Sequence, residues 1–482
     1  MDAELKNTRL PQSVEAATPT GRTKKDTRRV VAASTIGTAI EYYDYFIFGT
    51  AAATVFPALF FPDFSPAAGT LASFAAFGAG FLARPLGAAV AGHYGDRIGR
   101  KAMLVATLLV MGIGTFLIGL LPPYSVIGIW APILLVLLRL VQGFGVGGEL
   151  PGAQLMCVEH APRQHRGFFG SWPQAASPIG LAMSTSAFLI MSAVVSKEQF
   201  TQWGWRIPFL LTGFLVGVGM FIRLKTHESP EFKRVRQQHA QEKMPIRVFL
   251  RDARFQAMRG IGMYLGVTVV YYVVTTFLIA YAIGTLHMPR TTVLSVVLAT
   301  QPFFFAICLA GGALSDRFGR RPIYIIGTLG AGVAAFPAFA LIDQASTGAL
   351  FLGILLLGGF LFLYVGVQGA FFAELFDVRI RYTGTSLSIG IATLVGGAFT
   401  PAIGTLLAGR FGSISVAFLV LGVSLVAATA AWIGGGDRAV APRERQTAPA
   451  PPQKTPESPP NHLTATAPVP DAHQNPATLD PL

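Results

Sequence analysis

Five charged side chains stand out inside long apolar runs of this 482-residue chain: Glu41, Asp44, Arg84, Arg139 and Glu149. A charge among some twenty apolar residues is expensive, and is kept where it handles protons, ions or a charged ligand. Spacing sorts these side chains onto faces. Glu41 and Asp44 are three apart and share one face of a helix. Gln142 and Glu149 are seven apart and share another, with Arg139 on nearly the same face as Gln142. Helical rise puts Asp44 and Arg139 slightly outward of the centres of their runs, and Glu41, Arg84 and Glu149 inward of theirs. An Asp44–Arg139 pair is therefore expected, with Arg84 paired to Glu41 or Glu149. Three acids against two arginines leave a surplus carboxylate. Arginine keeps its proton, so the surplus acid is the group that can load and release one. Glu41 is the first candidate and Asp44 the second, with Arg84 and Glu149 as their partners in proton coupling. Arg139 could instead receive a substrate carboxylate through two parallel hydrogen bonds. The rival expectation is that these charges only lock helices together, which leaves the surplus acid unexplained.

Neutral polar groups in other apolar runs are candidates for substrate contacts: Gln142, Tyr45, Tyr271, Tyr272, Gln301 and Gln368, with Tyr264 and Tyr364. For any one of these tyrosines, packing or a bond to a neighbouring helix explains it equally well. Cys157 and Cys308 lie far apart in apolar runs and read as buried small hydrophobes, with no disulfide or metal spacing. The eight histidines fall in loops, segment edges or tails, so neither a metal site nor a histidine relay is expected. Gly143, Gly145, Gly147 and Gly148 lack the strand–helix context of a phosphate cradle, and suit close helix packing. No nucleophile–base set, metal cluster or cofactor motif survives, so an enzyme is not expected.

Those residues need a scaffold, and composition names its solvent. The chain is 52% hydrophobic and 13% charged, against about 25% charged in soluble domains. The net charge of +13 is not a nucleic-acid signature, because no basic stripe with interleaved aromatics occurs. Twelve runs are long enough to span a bilayer: roughly 30–56, 67–91, 102–121, 127–157, 168–195, 204–224, 259–285, 291–314, 322–342, 348–373, 384–409 and 413–434. In lipid the backbone must bond to itself, so the runs are helices. Basic residues cluster in alternate loops, at Arg22–Arg29, Arg97–Lys101, Arg163–Arg166, Arg223–Arg259, Arg317–Arg321 and Arg379–Arg381. Positive loops stay inside, which makes both termini cytoplasmic. Trp203 and Trp205, with Tyr124 and Trp130, fall where an outer aromatic belt belongs. The first apolar run has the length of a full span and follows a polar stretch, so no cleavable signal peptide is expected. The layout expected is a tail at 1–29, a bundle at 30–224, a polar loop at 225–258 with a surface helix near Glu231–Ala240, a second bundle at 259–434, and a Pro-rich tail at 435–482. The last cannot offset its ordering entropy and should be disordered.

The chain repeats itself. Gly92-His93-Tyr94-Gly95-Asp96-Arg97-Ile98-Gly99-Arg100-Lys101 recurs as Gly312-Ala313-Leu314-Ser315-Asp316-Arg317-Phe318-Gly319-Arg320-Arg321. Glu159-His160-Ala161-Pro162, leading to Arg166-Gly167, is answered by Glu374-Leu375-Phe376, leading to Arg381-Tyr382-Thr383-Gly384. Two matched pairs at nearly one offset argue for two six-helix halves. Asp96 and Asp316 sit at helix ends, where a carboxylate can face another helix's N-terminus. Arg97, Arg100, Arg317 and Arg320 can pair with Glu159 and Glu374, and with Arg166 and Arg381 these residues make a candidate gate.

At these loops the chain resembles the major facilitator superfamily. Within it, the chain is similar to the metabolite:proton symporter family. Glu41-Tyr42-Tyr43-Asp44-Tyr45, Gly80-Phe81-Leu82-Ala83-Arg84-Pro85-Leu86-Gly87, Arg139-Leu140-Val141-Gln142-Gly143, Gly147-Gly148-Glu149 and Gly204-Trp205-Arg206-Ile207-Pro208-Phe209 carry that likeness over about residues 30–434. It implies an all-α membrane protein of twelve transmembrane helices in two six-helix halves, in a bacterial-type inner membrane among lipid, working as a monomer without a cofactor. It also implies proton-coupled import, by alternating access, of a small organic acid or zwitterion such as shikimate, α-ketoglutarate, citrate, proline or betaine. A carboxylate is the favoured substrate, with protons as the coupling ion. Leu150-Pro151 depart from the Trp-Gly usual after Gly-Gly-Glu in such relatives. A proton-driven exporter of the same fold and a non-transporting metabolite sensor are the alternatives. Ser177-Pro178-Ile179-Gly180 lacks the Gly-Gly of exporter motifs and argues against the first. His227-Glu228-Ser229-Pro230 resembles a motif of sugar carriers.

Overall fold

A computed structural model of the chain describes residues 24–226, 228–237 and 245–433. Among them no strand occurs, and the apolar runs form twelve long helices. These are α1 (Lys24–Thr54), α2 (Pro66–Ile98), α3 (Arg100–Leu120), α4 (Trp130–His160), α5 (Arg166–Val194) and α6 (Arg206–Leu224) in the first half. The second half has α7 (Arg254–Gly284, with a π-helical turn at Val273–Phe277), α8 (Arg290–Phe318), α9 (Arg320–Ile342), α10 (Thr347–Leu375), α11 (Arg381–Phe411) and α12 (Ile414–Trp432). Among the described residues, eleven helices are long and apolar enough to cross a membrane. α1 is as long as these but less apolar overall, since it carries Glu41 and Asp44 as well as a charged first turn. It starts at Lys24, ahead of the apolar run, and Thr27 Oγ1 donates to the His160 carbonyl at the end of α4 (3.1 Å).

The halves meet along two seams related by the repeat: α2 against α11, and α5 against α8. Within each half the matching pairs are α2 with α4 and α8 with α10. The loops that open α3 and α9 turn at Gly99 (φ +124°) and Gly319 (φ +92°), a backbone region in which side chains are strained. That explains the glycine repeated in each signature loop.

Large apolar side chains cover the outside, for example Leu71, Phe214, Val333 and Phe418. In water such a surface would be a liability, and in hydrocarbon it is the solvated face. Trp130 and Trp203 are exposed in keeping with a belt, but Trp205 is buried among Phe56, Phe60 and Phe209. Its pairing with three rings outweighs an interfacial position. The central loop contains helices Pro230–Gln237 and Pro245–Asp252. The expected surface helix is thus seen up to Gln237; its remainder to Ala240, His227 and the tail from 434 onward lie outside the described residues, as does the chain before Lys24.

Candidate functional site

About 800 Å³ of empty space, part of it open to solvent, lies between the halves. α1 contributes Glu41, Tyr42 and Tyr45 to its wall, α2 contributes Arg84, and α7 contributes Tyr264, Tyr271 and Tyr272. Leu150 and Pro151, the pair that departs from the usual Trp-Gly, line it from α4. A smaller cavity shares Glu41, Tyr45 and Arg84 and extends to Arg139 and Gln142. The five charged candidates are therefore not all in one chamber: Glu41 and Arg84 border both cavities, Arg139 only the smaller, and Asp44 and Glu149 neither.

Neutral hydrogen bonds tie the halves together around the cavity. Tyr45 donates to Tyr272 (2.9 Å) and Ser177 bonds Tyr271 (2.8 Å). Tyr42 donates to the Gln174 Oε1 (3.1 Å), and Gln174 Nε2 donates to Gln368 Oε1 (2.8 Å). Gln368 is fully buried and bonds behind the lining, rather than forming part of it. Gln301 turns back to the Val297 carbonyl of its own helix (2.7 Å) and borders a separate small cavity with Ser177 and Tyr271. Tyr364 is buried and donates to the Gly266 carbonyl (3.3 Å).

The charge pairs differ from those expected. Asp44 accepts from Thr115 (2.9 Å) and Thr212 (2.8 Å). Arg139 donates to Gln142 and to the Phe77 carbonyl (3.3 Å), and packs over the Phe48 and Phe77 rings. Gln142 donates onward to Thr115 (2.6 Å). A neutral relay, Gln142–Thr115, thus stands between Asp44 and Arg139 in place of the direct pair. Arg84 lies over the Phe81 and Tyr45 rings, 4.8 and 5.6 Å from their centroids, and closes no ion pair with Glu41 or Glu149. Glu149 is bonded instead by Arg223 of α6, which also donates to the Leu104 carbonyl, and by Thr107 (3.0 Å). Arg223 is fully inside the bundle. It counts as a third arginine against the three acids, so the surplus by simple count disappears. What distinguishes Glu41 is its geometry: its Oε2 is buried with no hydrogen-bond partner among the described residues.

The repeated loops gather at one end of the bundle, called the basic end below. Asp96 accepts from the backbone N–H groups of Tyr382 (3.2 Å) and Thr383 (2.9 Å) at the start of α11. Asp316 accepts from those of Gly167 and Phe168 (2.8 Å each) at the start of α5. Each carboxylate therefore fastens one half to a helix N-terminus of the other, where unpaired N–H groups and the helix dipole favour a negative charge. Arg100 bridges Asp96 (3.3 Å) and Glu159 (3.6 Å), and Arg320 bridges Asp316 (2.7 Å) and Glu374 (3.3 Å). Arg97 stands beside His93 (3.4 Å) and Arg317 over the Phe318 ring (5.2 Å). Arg381 reaches Glu159 (3.1 Å).

Sequence reasoning passed over Glu231. This residue of helix Pro230–Gln237 bonds both Arg166 at the start of α5 and Arg381 at the start of α11. Burial works upward on its carboxyl pKa, but Arg381 and then Arg166 outweigh burial and hold it below the ordinary glutamate range. Its neighbour Glu228 accepts from the backbone N–H of Arg100 (3.1 Å) and Lys101 (3.2 Å), capping α3, and Ser229 donates to Glu159. The signal was present: Glu231 directly follows the His227–Pro230 motif. Arg223 was read as the first charge of a basic loop because it stands at the very end of its run.

The chain is similar to known proteins along most of its length. The family described as "Sugar (and other) transporter" matches residues 30–247, and that described as "Major Facilitator Superfamily" matches residues 294–471. The inner membrane metabolite transport protein YhjE of Escherichia coli K12 is 42% identical over 80% of this chain and 88% of its own. The shikimate transporter of the same organism is 41% identical over 86% and 95%. The proline/betaine transporter of Salmonella typhimurium LT2 is 34% identical over 77% and 76%. Among solved structures, the proton:xylose symporter XylE bound to 6-bromo-6-deoxy-D-glucose aligns with a TM-score of 0.68, over 85% of this chain and 95% of that one, at 18% identity. A twelve-helix fold in two repeated halves, two family matches and relatives above 40% identity lead to one placement: the chain belongs to the major facilitator superfamily, a family of membrane transporters and not of enzymes.

Proposed function

We propose that this protein imports a small organic acid or zwitterionic metabolite together with protons, by alternating access between its two halves. The carrying observation is the juxtaposition of Glu41, with its unpartnered oxygen, and Arg84 in one cavity at the seam. Burying an ionised carboxylate without partners is costly, and taking up a proton removes that cost. Glu41 is thus the group placed to load and release a proton, while Arg84 offers a guanidinium fork to a substrate carboxylate. Arg139 and Gln142 form a second polar pocket next to it, and Tyr45, Tyr271 and Tyr272 supply hydroxyls across the seam. The substrate classes in the relatives' names, shikimate and proline or betaine, all carry a carboxylate, which suits this site. The paired contacts of Asp96, Asp316, Arg100, Arg320, Arg166, Arg381, Glu159 and Glu374 act as the gate at the basic end. By the positive-inside rule that end is cytoplasmic. Both termini are then inside, in a bacterial-type inner membrane, with bundles at 30–224 and 259–434 joined by a cytoplasmic segment. One chain holds the whole cavity, so a monomer suffices.

The test is proton movement in de-energised cells expressing the protein, with carboxylates, polyols and betaines added singly while external pH is recorded. Alkalinisation with one compound, lost in Glu41→Gln, is the expected result. Acidification on adding a compound, or no response across the panel, would overturn proton-coupled import.

A further inference from the structure

We propose that the groove between α7 and α12 at the basic end binds an anionic phospholipid, with the headgroup phosphate held by Arg259 and Arg321. The groove encloses about 860 Å³ of empty space, part of it open, on the outer face of the second half. Its floor is apolar: Phe255 and Met258 from α7, Leu425 and Val426 from α12. Arg259 Nε donates to the Ala430 carbonyl (3.1 Å), and Arg321 donates to the Trp432 carbonyl while lying 4.6 Å over its ring. Those carbonyls are two residues apart in the last turn of α12, so both arginines reach the same helix end, with Arg259 lining the groove.

Capping α12 does not explain the pair. A cation near a helix C-terminus is favourable, but one suffices: at the matching end of α6, Lys101 alone donates to the Leu224 carbonyl (2.7 Å). A guanidinium has five donors, and each of these spends one on a carbonyl. Arg321 Nε is buried without a hydrogen-bond partner among the described residues. Neither arginine meets a carboxylate among the described residues. Two guanidiniums without a carboxylate partner at one helix end, beside an apolar groove at the level where a span meets the interface, complement a phosphate bearing acyl chains. Trp432, two-thirds exposed beside them, is the aromatic expected at that level.

The purified full-length chain would be placed in nanodiscs of mixed phosphatidylglycerol and phosphatidylcholine, and bound lipid counted by native mass spectrometry. Phosphatidylglycerol should be retained preferentially. Each arginine near an anionic lipid surface contributes about fivefold, so Arg259→Gln with Arg321→Gln should cut that preference about twenty-five-fold. Leu425→Trp, which fills the floor and leaves both charges, should also expel the lipid. It keeps the proposal testable if the double variant fails to fold. Equal retention of the two lipids, or undiminished phosphatidylglycerol in either variant, would overturn it. So would displacement by inorganic phosphate alone, since that would make the site one for a free ion.

Discussion

Deleting the Glu231 carboxylate should loosen the basic end. Helix Pro230–Gln237 follows α6 directly and is fastened to the first half, through Glu228 on the start of α3 and Ser229 on Glu159 of α4. Arg166 belongs to that half as well, whereas Arg381 begins α11 in the other. When the halves part at this end, the Glu231–Arg381 bond is the one Glu231 loses. A hydrogen bond to a charged group nets about 1.5–3 kcal/mol. The side chains of Arg381 and Glu231 are only 13% and 14% exposed, so solvent screening takes little of that. With tenfold for each ~1.4 kcal/mol, Glu231→Ala should raise the open population about ten- to a hundredfold. The reporter is Ser386→Cys. Ser386 is fully buried on α11, between Thr383, bonded to Asp96 of α2, and Gly390, against Pro85 of α2. The native Cys157 and Cys308 are buried, and the chain without Ser386→Cys supplies their background. An impermeant thiol reagent applied to inverted vesicles should label Ser386→Cys faster in Glu231→Ala by that factor. Asp377→Ala is the control, since it removes an ion pair with Arg379 within one loop (2.9 Å). An unchanged rate in Glu231→Ala, or an equal rise in the control, would refute the reasoning. The pH dependence has a fixed sign. A carboxyl held below its ordinary value stabilises the closed end fully above that value, and loses the contribution as pH falls through the depressed one. Glu231 should therefore leave labelling flat between about pH 5 and 8 and promote it only below about pH 4.

Three further outcomes are expected. Arg223→Leu strands the fully buried Glu149 with Thr107 as its remaining side-chain partner. It should cost about 3–5 kcal/mol, seen as lost monodisperse protein on size exclusion, and Glu149→Met in the same chain should recover most of it. Gly87→Ala puts a Cβ 1.8 Å from the Phe144 carbonyl oxygen, forcing α2 off α4 and abolishing folded protein, while Gly78→Ala, with open space around it, should express normally. Arg139→Lys loses the planar fork that reaches Gln142 and the Phe77 carbonyl together. Uptake of a carboxylate in whole cells should fall at least tenfold, and unchanged uptake would remove Arg139 from the site.

The twelve helices were legible because hydrocarbon imposes length and apolarity on each span, with α1 the most diluted by its own charges. The pairing of the charges was not legible. Depth along a helix follows from counting residues, but the direction a side chain points depends on how each helix is rotated against its neighbours. Asp44 and Arg139 lie at matching depth, yet Thr115 of α3 and Gln142 of α4 come between them. Arg223 was hidden for another reason. A basic residue at the end of a span reads as a topology signal, and nothing in one chain's residues says that it folds inward to Glu149. Glu231 lay in a polar segment with no apolar period, where a solvated face is the ordinary expectation. Only the bundle's closure brings Arg166 and Arg381 to it.

The repeat itself divides the residues by role. Contacts at the basic end occur twice: Asp96 with Asp316, Arg100 with Arg320, Lys101 with Arg321 at the ends of α6 and α12. A seam between two like halves presents the same helix ends on both sides, so one arrangement of carboxylate and N-terminus closes both. The remaining charges inside the bundle occur once. Glu41, Asp44, Arg84, Arg139, Glu149 and Arg223 all belong to α1, α2, α4 and α6, and the facing wall is the tyrosines of α7. Charges buried in hydrocarbon are tolerable only while their partners stay with them. Keeping all six in one half would let the halves alternate as proposed without parting Glu149 from Arg223 or Asp44 from Thr115 and Thr212. The contacts that must break between the halves around the cavity are then neutral ones, Tyr45 to Tyr272, Ser177 to Tyr271 and Gln174 to Gln368, each worth about 1 kcal/mol. Such bonds are strong enough to favour one arrangement and weak enough to exchange for bonds to a substrate.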